Sequence, residues 1–142
     1  MPYSARYLEA RQDAVPTGKI LTAEPGSIND FASNPDARFG HSTSDPEFVG
    51  NCGADGACEG YNGYWLIENA PEDAVVVTLA SPFSGIKAEL KTDQVGVMVY
   101  SCSWMDGSIG LKENQGIEGR DSVEKSSCVA IEPQDYPNGI NV

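Results

Sequence analysis

The sequence predicts a mainly β protein, a small antiparallel β-sandwich or barrel with a long irregular N-terminal segment. Two observations carry this prediction. From residue 64 onward, short runs of β-branched and aromatic residues are separated by Gly, Pro and Asn turn signals. Almost no helix is predicted, because residues 22–63 sustain no period of 3.6 residues and the best helix candidate is short. The length of 142 residues suits one domain.

The chain divides into three stretches of different composition: an N-terminal arm (1–20), an irregular segment (21–63) and a β core (64–142). The irregular segment is rich in Gly, Pro, Ser, Thr, Asn and Asp, and its aromatic residues occur singly. Irregular stretches of this length are uncommon inside compact domains. We therefore expect this segment to wrap over a surface, either of its own core or of a partner.

The N-terminal arm has two interpretations. Residues 5–14 are the best helix candidate, with Ser4 as the N-cap and Pro16 as the stop signal, although the apolar stripe is poor. The alternative is an arm that orders only on contact, because an isolated helix this short is marginal in water.

Six short strands are expected in the β core. In the stretch 86–91, the apolar residues Ile86, Ala88 and Leu90 alternate with charged residues and are predicted to face inward. Asp106-Gly107 is the strongest hairpin signal and should turn the chain into the strand that follows. Pro133 should break up the tail. The predicted strands cover residues 64–68, 74–80, 86–91, 95–104, 109–111 and 127–132.

The charge balance excludes several classes of partner. The chain has 9 Lys plus Arg against 21 Asp plus Glu, a formal net charge of -12. Nucleic acids and anionic membrane surfaces require clustered basic residues, so neither is an expected partner. The arm, however, holds three basic residues against two acidic ones. It could therefore contact an acidic surface of its own domain or of a neighbouring copy, through Tyr3, Arg6, Tyr7 and Arg11.

The four cysteines, Cys52, Cys58, Cys102 and Cys128, allow three disulfide pairings. Five residues separate Cys52 from Cys58, and this flexible loop favours a disulfide between them. The state of Cys102 and Cys128 stays open, and four free thiols in a reducing compartment are the alternative. Structural zinc sites use cysteine pairs two to four residues apart, so a zinc site is not predicted.

Residues 51–62 partly match a calcium-binding loop, which makes Asp55 and Glu59 weak candidate ligands. Gly53 and Asn62 stand where such a loop needs oxygen ligands, the second of them a bidentate Glu. A glycine-rich loop closed by a disulfide is the favoured interpretation. The sequence thus predicts no resident metal and no cofactor.

Catalytic motifs are not evident. His41 is the only histidine, and without a Gly-x-Ser-x-Gly motif in the chain it is interpreted as a solvated loop residue. The adjacent acids Glu72 and Asp73 are interpreted as a solvated bend. Carboxylates that only the fold brings together remain an alternative without a residue assignment.

Four aromatic residues are candidates for ligand contact or for the core. Tyr61, Tyr64 and Trp104 could stack on a sugar ring, with the two tyrosines expected to be exposed. Trp65 precedes Leu66 at the start of a strand, so it is expected in the core.

These features favour a non-enzymatic structural protein that docks onto a larger protein assembly. The main hypothesis is a virion accessory protein, either a capsid decoration or a cement protein on the virion surface, compatible with a homo-oligomer. The alternative is a secreted, extracellular carbohydrate- or ligand-binding β-module that uses exposed aromatic residues.

Overall fold

The computed structural model describes residues 1–11, 13–33, 60–115 and 119–141. Within these ranges the protein is mainly β, with antiparallel sheets and no α-helix, as predicted. The strands are β1 (Arg6–Ala10), β2 (Pro16–Thr22), β3 (Asn62–Leu66), β4 (Val77–Ala80), β5 (Lys87–Leu90), β6 (Gly96–Tyr100) and β7 (Ala130–Gln134), followed by a short 3-10 helix, Gly139–Asn141. No helix in the described ranges has the length and apolar character needed to cross a membrane.

The strands form two sheets. Five of them make one sheet in the order β2-β1-β3-β6-β7, and β4 pairs with β5 in a separate two-stranded sheet. The larger sheet draws strands from the predicted arm, from the junction near residue 63 and from the predicted β core. Its centre is therefore built from residues far apart in the chain.

The helix predicted over residues 5–14 is wrong, because β1 occupies most of this stretch. Tyr7 lies on one face of the sheet, directly opposite Trp65, while Leu8 lies on the other face and packs against Tyr64. Consecutive side chains that point to opposite faces, each of them apolar, fit a strand rather than a helix. Pairing with β2 and β3 thus outweighs the weak helical propensity of this stretch.

One face of the five-stranded sheet carries the main core. Its buried members are Ile28, Tyr61, Trp65, Val76, Val77, Val97 and Val99. Trp65 is 1% exposed, which confirms its predicted place in the core. The Tyr61 hydroxyl donates to the carbonyl of Ile28 at 2.8 Å, and the Trp65 indole N–H donates to the carbonyl of Asn29 at 3.0 Å. Both bonds hold the segment that follows β2 against this face.

Asp30 organises that segment. Its carboxylate accepts hydrogen bonds from the backbone N–H groups of Gly26, Ala32 and Ser33 at 2.8, 3.2 and 2.9 Å. Burial raises the pKa of Asp30, but these bonds together with the Ser33 hydroxyl more than offset it, and the pKa lies below its ordinary value. This part of the predicted irregular segment therefore packs on its own core.

The predicted inward orientation of Ile86, just before β5, and of Ala88, within it, is wrong. Ile86 is 69% exposed and Ala88 is also exposed, whereas Leu90 is half-buried against the main core. The β4–β5 hairpin contacts the core only near its base, where Val77 pairs with Leu90. The alternation of apolar and charged residues gives the hairpin one apolar face. The described part of the chain covers this face only at the end near Leu90.

The strand predicted after Asp106-Gly107 is also wrong. Gly107 has a φ of 81°, as a turn residue would, but its N–H donates to Val123 at 3.1 Å. Gly110 then forms only an isolated bridge with Ser122. The partner of β6 is instead β7, where Pro133 lies inside the strand. Proline is tolerated there because β7 is an edge strand.

Candidate functional site

The second face of the five-stranded sheet carries a row of side chains that crosses all five strands. In order across the sheet, the row contains Ile20, Leu8, Tyr64, Met98 and Glu132. The register pairs Leu8 with Ile20, Tyr64 with Met98, and Met98 with Glu132. Directly paired residues in antiparallel strands project from the same face. We call this set the cross-strand row; its centre is buried, and its two ends, Ile20 and Glu132, are exposed.

Tyr64 fastens the centre of the row. Its hydroxyl donates to the backbone carbonyl of Gln134 at 3.1 Å, and its ring lies over Gly96 and 5.9 Å from the ring of Tyr136. Burial, assisted by the nearby Tyr136 and Asp135, raises the pKa of Tyr64 to about 12. Tyr64 is therefore a protonated donor at neutral pH, and it ties β3 to β7 across β6.

Glu132 differs from the other acidic residues that lie on strands. Glu9 is hydrogen-bonded to Lys19 at 3.2 Å, and Glu89 forms an ion pair with Lys87. Among the described residues, the carboxylate of Glu132 has neither a hydrogen bond nor an ion pair. A carboxylate that is mounted on a rigid strand and not engaged by the protein can exchange a proton with a ligand.

Trp104 lies just beyond the end of β6 and is 53% exposed. Its backbone N–H donates to the hydroxyl oxygen of Tyr100 at 3.1 Å. Tyr100 projects from the same face as Met98, since the two are separated by one residue on β6. The start of the loop that carries Trp104 is thus fastened to the face that presents Glu132.

A disulfide between Cys102 and Cys128 closes this loop, with the Cα atoms 5.4 Å apart. The two cysteines lie two residues beyond Tyr100 and Ala130, the last pair of the β6–β7 ladder. The bridge therefore holds the register that places Glu132 opposite Met98.

An open groove of about 760 Å³ lies at the other end of the cross-strand row. Leu8 and Ile20 line one side, and Asp135, Tyr136 and Asn138 line the other. The groove is formed by the β1–β2 hairpin and the segment that follows β7. Both ends of the row therefore offer surface to a ligand, with Glu132 at the β7 end and Asp135 in the lining of the groove.

Two of the predicted stacking residues are not exposed. Tyr61 is 0% and Tyr64 is 2% exposed, so the prediction that they face solvent is wrong. Both lie on or beside β3, which has a neighbouring strand on each side and packed side chains on both faces. Trp104 is the one predicted stacking residue with an accessible ring.

The four residues predicted to bind a partner make contacts within the chain. Tyr3 and Tyr7 pack against the main core. Arg6 forms a two-pronged ion pair with Glu68, and Arg11 pairs with Asp13 at 3.0 Å. A role of these residues in binding a partner stays a prediction.

Several sequence predictions fall on residues outside the described ranges. These residues are His41, Cys52, Asp55, Cys58 and Glu59. Within the described ranges, no group of three or more His, Cys, Asp or Glu residues is arranged to hold a metal ion.

Comparison with known proteins finds two relatives, both named as epimerases. It is similar to a probable aldose 1-epimerase from Arthroderma benhamiae, 26% identical over 163 aligned residues that cover 99% of this chain and 36% of that protein. It is also similar to the epimerase FSL3 from Gibberella zeae, 29% identical over 153 residues that cover 99% of this chain and 34% of that protein. The chain spans about a third of the length of these relatives. No family model and no solved structure matches.

These similarities overturn the main functional expectation. Both relatives are named as epimerases, so a non-enzymatic virion accessory protein, a capsid decoration or a cement protein, is wrong. The alternative expectation, a carbohydrate- or ligand-binding β-module, is closer to these names. The sequence alone does not single out Glu132, because an acid at the end of a predicted strand resembles any solvated residue. Its signal was that it is the only charged residue in the stretch 127–132.

Proposed function

We propose that this chain contributes to a carbohydrate-converting epimerase, with Glu132 as the residue that transfers the proton. The observation that supports this most is the similarity of 99% of the chain to two proteins named as epimerases. One of these names specifies an aldose and its C1 atom. We also propose that the two sheets belong to a β-sandwich that carries the site.

Epimerisation at C1 of a free aldose requires acid–base chemistry. A base takes the proton of the anomeric hydroxyl, the carbonyl forms at C1, and the bond from C1 to the ring oxygen breaks as that oxygen takes up a proton. Rotation about the bond from C1 to C2 and closure on the other face give the opposite anomer. A carboxylate within hydrogen-bond reach of the anomeric hydroxyl accelerates this step, typically by about 10²–10⁴-fold.

The surroundings of Glu132 suit this role. It lies on β7, whose position is held by five residue pairs with β6 and by the hydrogen bond from Tyr64 to Gln134. A carboxylate supported by strand pairing keeps its place when a ligand binds, which lowers the cost of orientation. No described side chain competes for its oxygen atoms.

Trp104 supplies an exposed aromatic surface in the loop that follows β6. Its indole is 53% exposed, while the other tryptophan, Trp65, is buried. An aromatic face packs against the C–H groups on one face of a sugar ring and leaves the hydroxyls free. Trp104 is thus the proposed stacking residue, and Glu132 the proposed acid–base residue.

The catalytic test is polarimetry of α-D-glucose and α-D-galactose as they approach anomeric equilibrium with the 142-residue chain present. We expect the wild type to accelerate the approach, and Glu132→Gln to lower the catalysed rate by at least about 100-fold. Glu9→Gln is the matched control, because it also removes a strand-borne carboxylate but lies outside the cross-strand row. Wild-type protein that leaves both sugars at their uncatalysed rates would overturn the proposed activity, and an active Glu132→Gln would overturn the assignment of Glu132.

Binding is measured separately by tryptophan fluorescence. We expect the same two sugars to change the emission of the wild type and of Glu132→Gln, since Trp104 is the exposed indole. Trp104→Phe should lose the change while Trp65 still reports a folded core. A sugar-dependent signal that survives Trp104→Phe would contradict the stacking role.

A further inference from the structure

Within the described ranges, the outer edge of β5 has no partner strand. β5 has one neighbour in the sheet, β4, on its other side. The carbonyl of Ile86 accepts from the N–H of Ser81 at 2.9 Å, so Ile86 directs its backbone groups toward β4, as Ala88 does by alternation. The backbone groups of the intervening residues, Lys87 and Glu89, therefore point away from β4. Among the described residues no strand pairs with this edge.

The side chains of β5 are self-complementary in charge. Lys87 and Glu89 project from the same face and form an ion pair within the strand, with side chains about half exposed. They lie one on each side of Ala88, at equal distance along the strand. A two-fold axis through Ala88 would exchange the two charges.

The opposite face of β5 is apolar and uncovered at one end. Ile86, the residue immediately before β5, is 69% exposed, whereas Leu90, the last residue of β5, packs against the main core. Positions 86 and 90 are also related by a two-fold axis through Ala88. A second β5 in that arrangement would bring its Leu90 to the exposed Ile86.

We propose that two copies of this chain associate through antiparallel pairing of their β5 edges about a two-fold axis at Ala88. In this register Lys87 of each copy faces Glu89 of the second copy, and both pairs use the outward backbone groups. The two hairpins become one four-stranded sheet. The interface is isologous, so the same patch serves both copies.

Charge selects this register over its neighbours. A two-fold axis at Lys87 would place two lysines opposite each other, and an axis at Glu89 would place two glutamates together. Like charges directly opposite on a sheet are destabilising, whereas opposite charges stabilise the pair. The net charge of -12 opposes association at low salt, so the dimer is expected at physiological ionic strength.

The test is sedimentation equilibrium of the 142-residue chain in a buffer of physiological ionic strength, over a wide range of protein concentrations. We expect the average mass of the wild type to rise with concentration from 15.1 kDa toward twice that value. Lys87→Glu should weaken association at least tenfold, and so should Glu89→Lys. The double variant Lys87→Glu/Glu89→Lys should regain it, because the exchanged charges again face each other.

A mixture of the two single variants gives the most specific test of this pairing. Lys87→Glu carries two acids on its edge and Glu89→Lys carries two bases, so the mixture should form heterodimers although neither variant dimerises alone. Lys112→Glu is the control, since it makes the same change of net charge at an exposed residue away from β5. Circular dichroism should show all variants folded.

Two results would overturn the proposal. One is wild-type protein that stays monomeric across the whole range, which would assign this edge to a different occupant. The other is a dimer that Lys87→Glu weakens no more than Lys112→Glu does. Neither result bears on the polarimetry of Glu132→Gln, so the two proposals fail independently.

Discussion

The hydroxyl of Tyr64 donates a hydrogen bond to the backbone carbonyl of Gln134, 3.1 Å away, across the strand that lies between them. That strand is β6, and the residue under the Tyr64 ring is Gly96. The sheet therefore has a side-chain tie from β3 to β7, close to the strand that presents Glu132. The hydrogen bond is possible because Gly96 has no side chain and leaves room for the Tyr64 ring.

Gly96→Ala should destabilise the protein by about 1–3 kcal/mol, because the new methyl group would collide with the Tyr64 ring. Gly110→Ala is the matched control. A Cβ there would meet nothing nearer than the carbonyl oxygen of Asp121 at 4.0 Å. The stability of both variants is measured by urea unfolding, monitored by circular dichroism. Equal unfolding midpoints for the two variants would contradict the close contact between Gly96 and the Tyr64 ring.

Tyr64→Phe should change how stability depends on alkaline pH. The pKa of Tyr64 is raised to about 12, so the folded protein holds this proton more tightly than the unfolded chain does. The contribution is complete below pH 10 and is lost as pH rises through about 12. Between these values the wild type should lose roughly 2 kcal/mol more than Tyr64→Phe. Unfolding curves of both proteins at pH 8, 10 and 11.5 provide the comparison. An equal loss of unfolding free energy in the two proteins would refute the raised pKa of Tyr64.

Asp30→Ala should cost about 1–3 kcal/mol at neutral pH, because three backbone N–H groups lose their acceptor. The pKa of Asp30 lies below its ordinary value of 3.8, so its contribution is present above that pH. The part of this contribution that depends on ionisation is lost as pH falls below 3.8 through the lowered pKa, so the difference between the wild type and the variant should narrow there. Asp73→Ala, at an exposed turn, should be neutral throughout. Thermal unfolding from pH 2.5 to 7 tests this, and a constant difference would contradict the assignment.

Removal of the Cys102–Cys128 bridge by Cys102→Ala/Cys128→Ala should cost about 3.5 kcal/mol, from loop entropy over the sequence separation of 26. Urea unfolding followed by the fluorescence of buried Trp65 measures the loss. A reductant that opens the wild-type disulfide should remove this difference in stability between the wild type and the double variant. A loss below about 1 kcal/mol without reductant would mean that the β6–β7 ladder alone holds the loop.

Some features of the protein could be predicted from the amino-acid sequence because they depend on neighbours along the chain. Val97 and Val99 alternate with other residues, and this period of two indicates a strand with one buried face wherever that strand pairs. Trp65, at the start of an apolar run, was recognised as a core residue for the same reason. The β class follows from such local patterns.

The tertiary structure decided everything that depends on partners distant in sequence. Tyr7 and Leu8 became part of a strand because Trp65 and Tyr64 lie beside them, and no local signal reports those contacts. The Cys102–Cys128 pairing and the free carboxylate of Glu132 likewise result from which strands adjoin. Periodicity is a property of consecutive residues, whereas burial, pairing and the absence of a partner arise only when the chain has closed on itself.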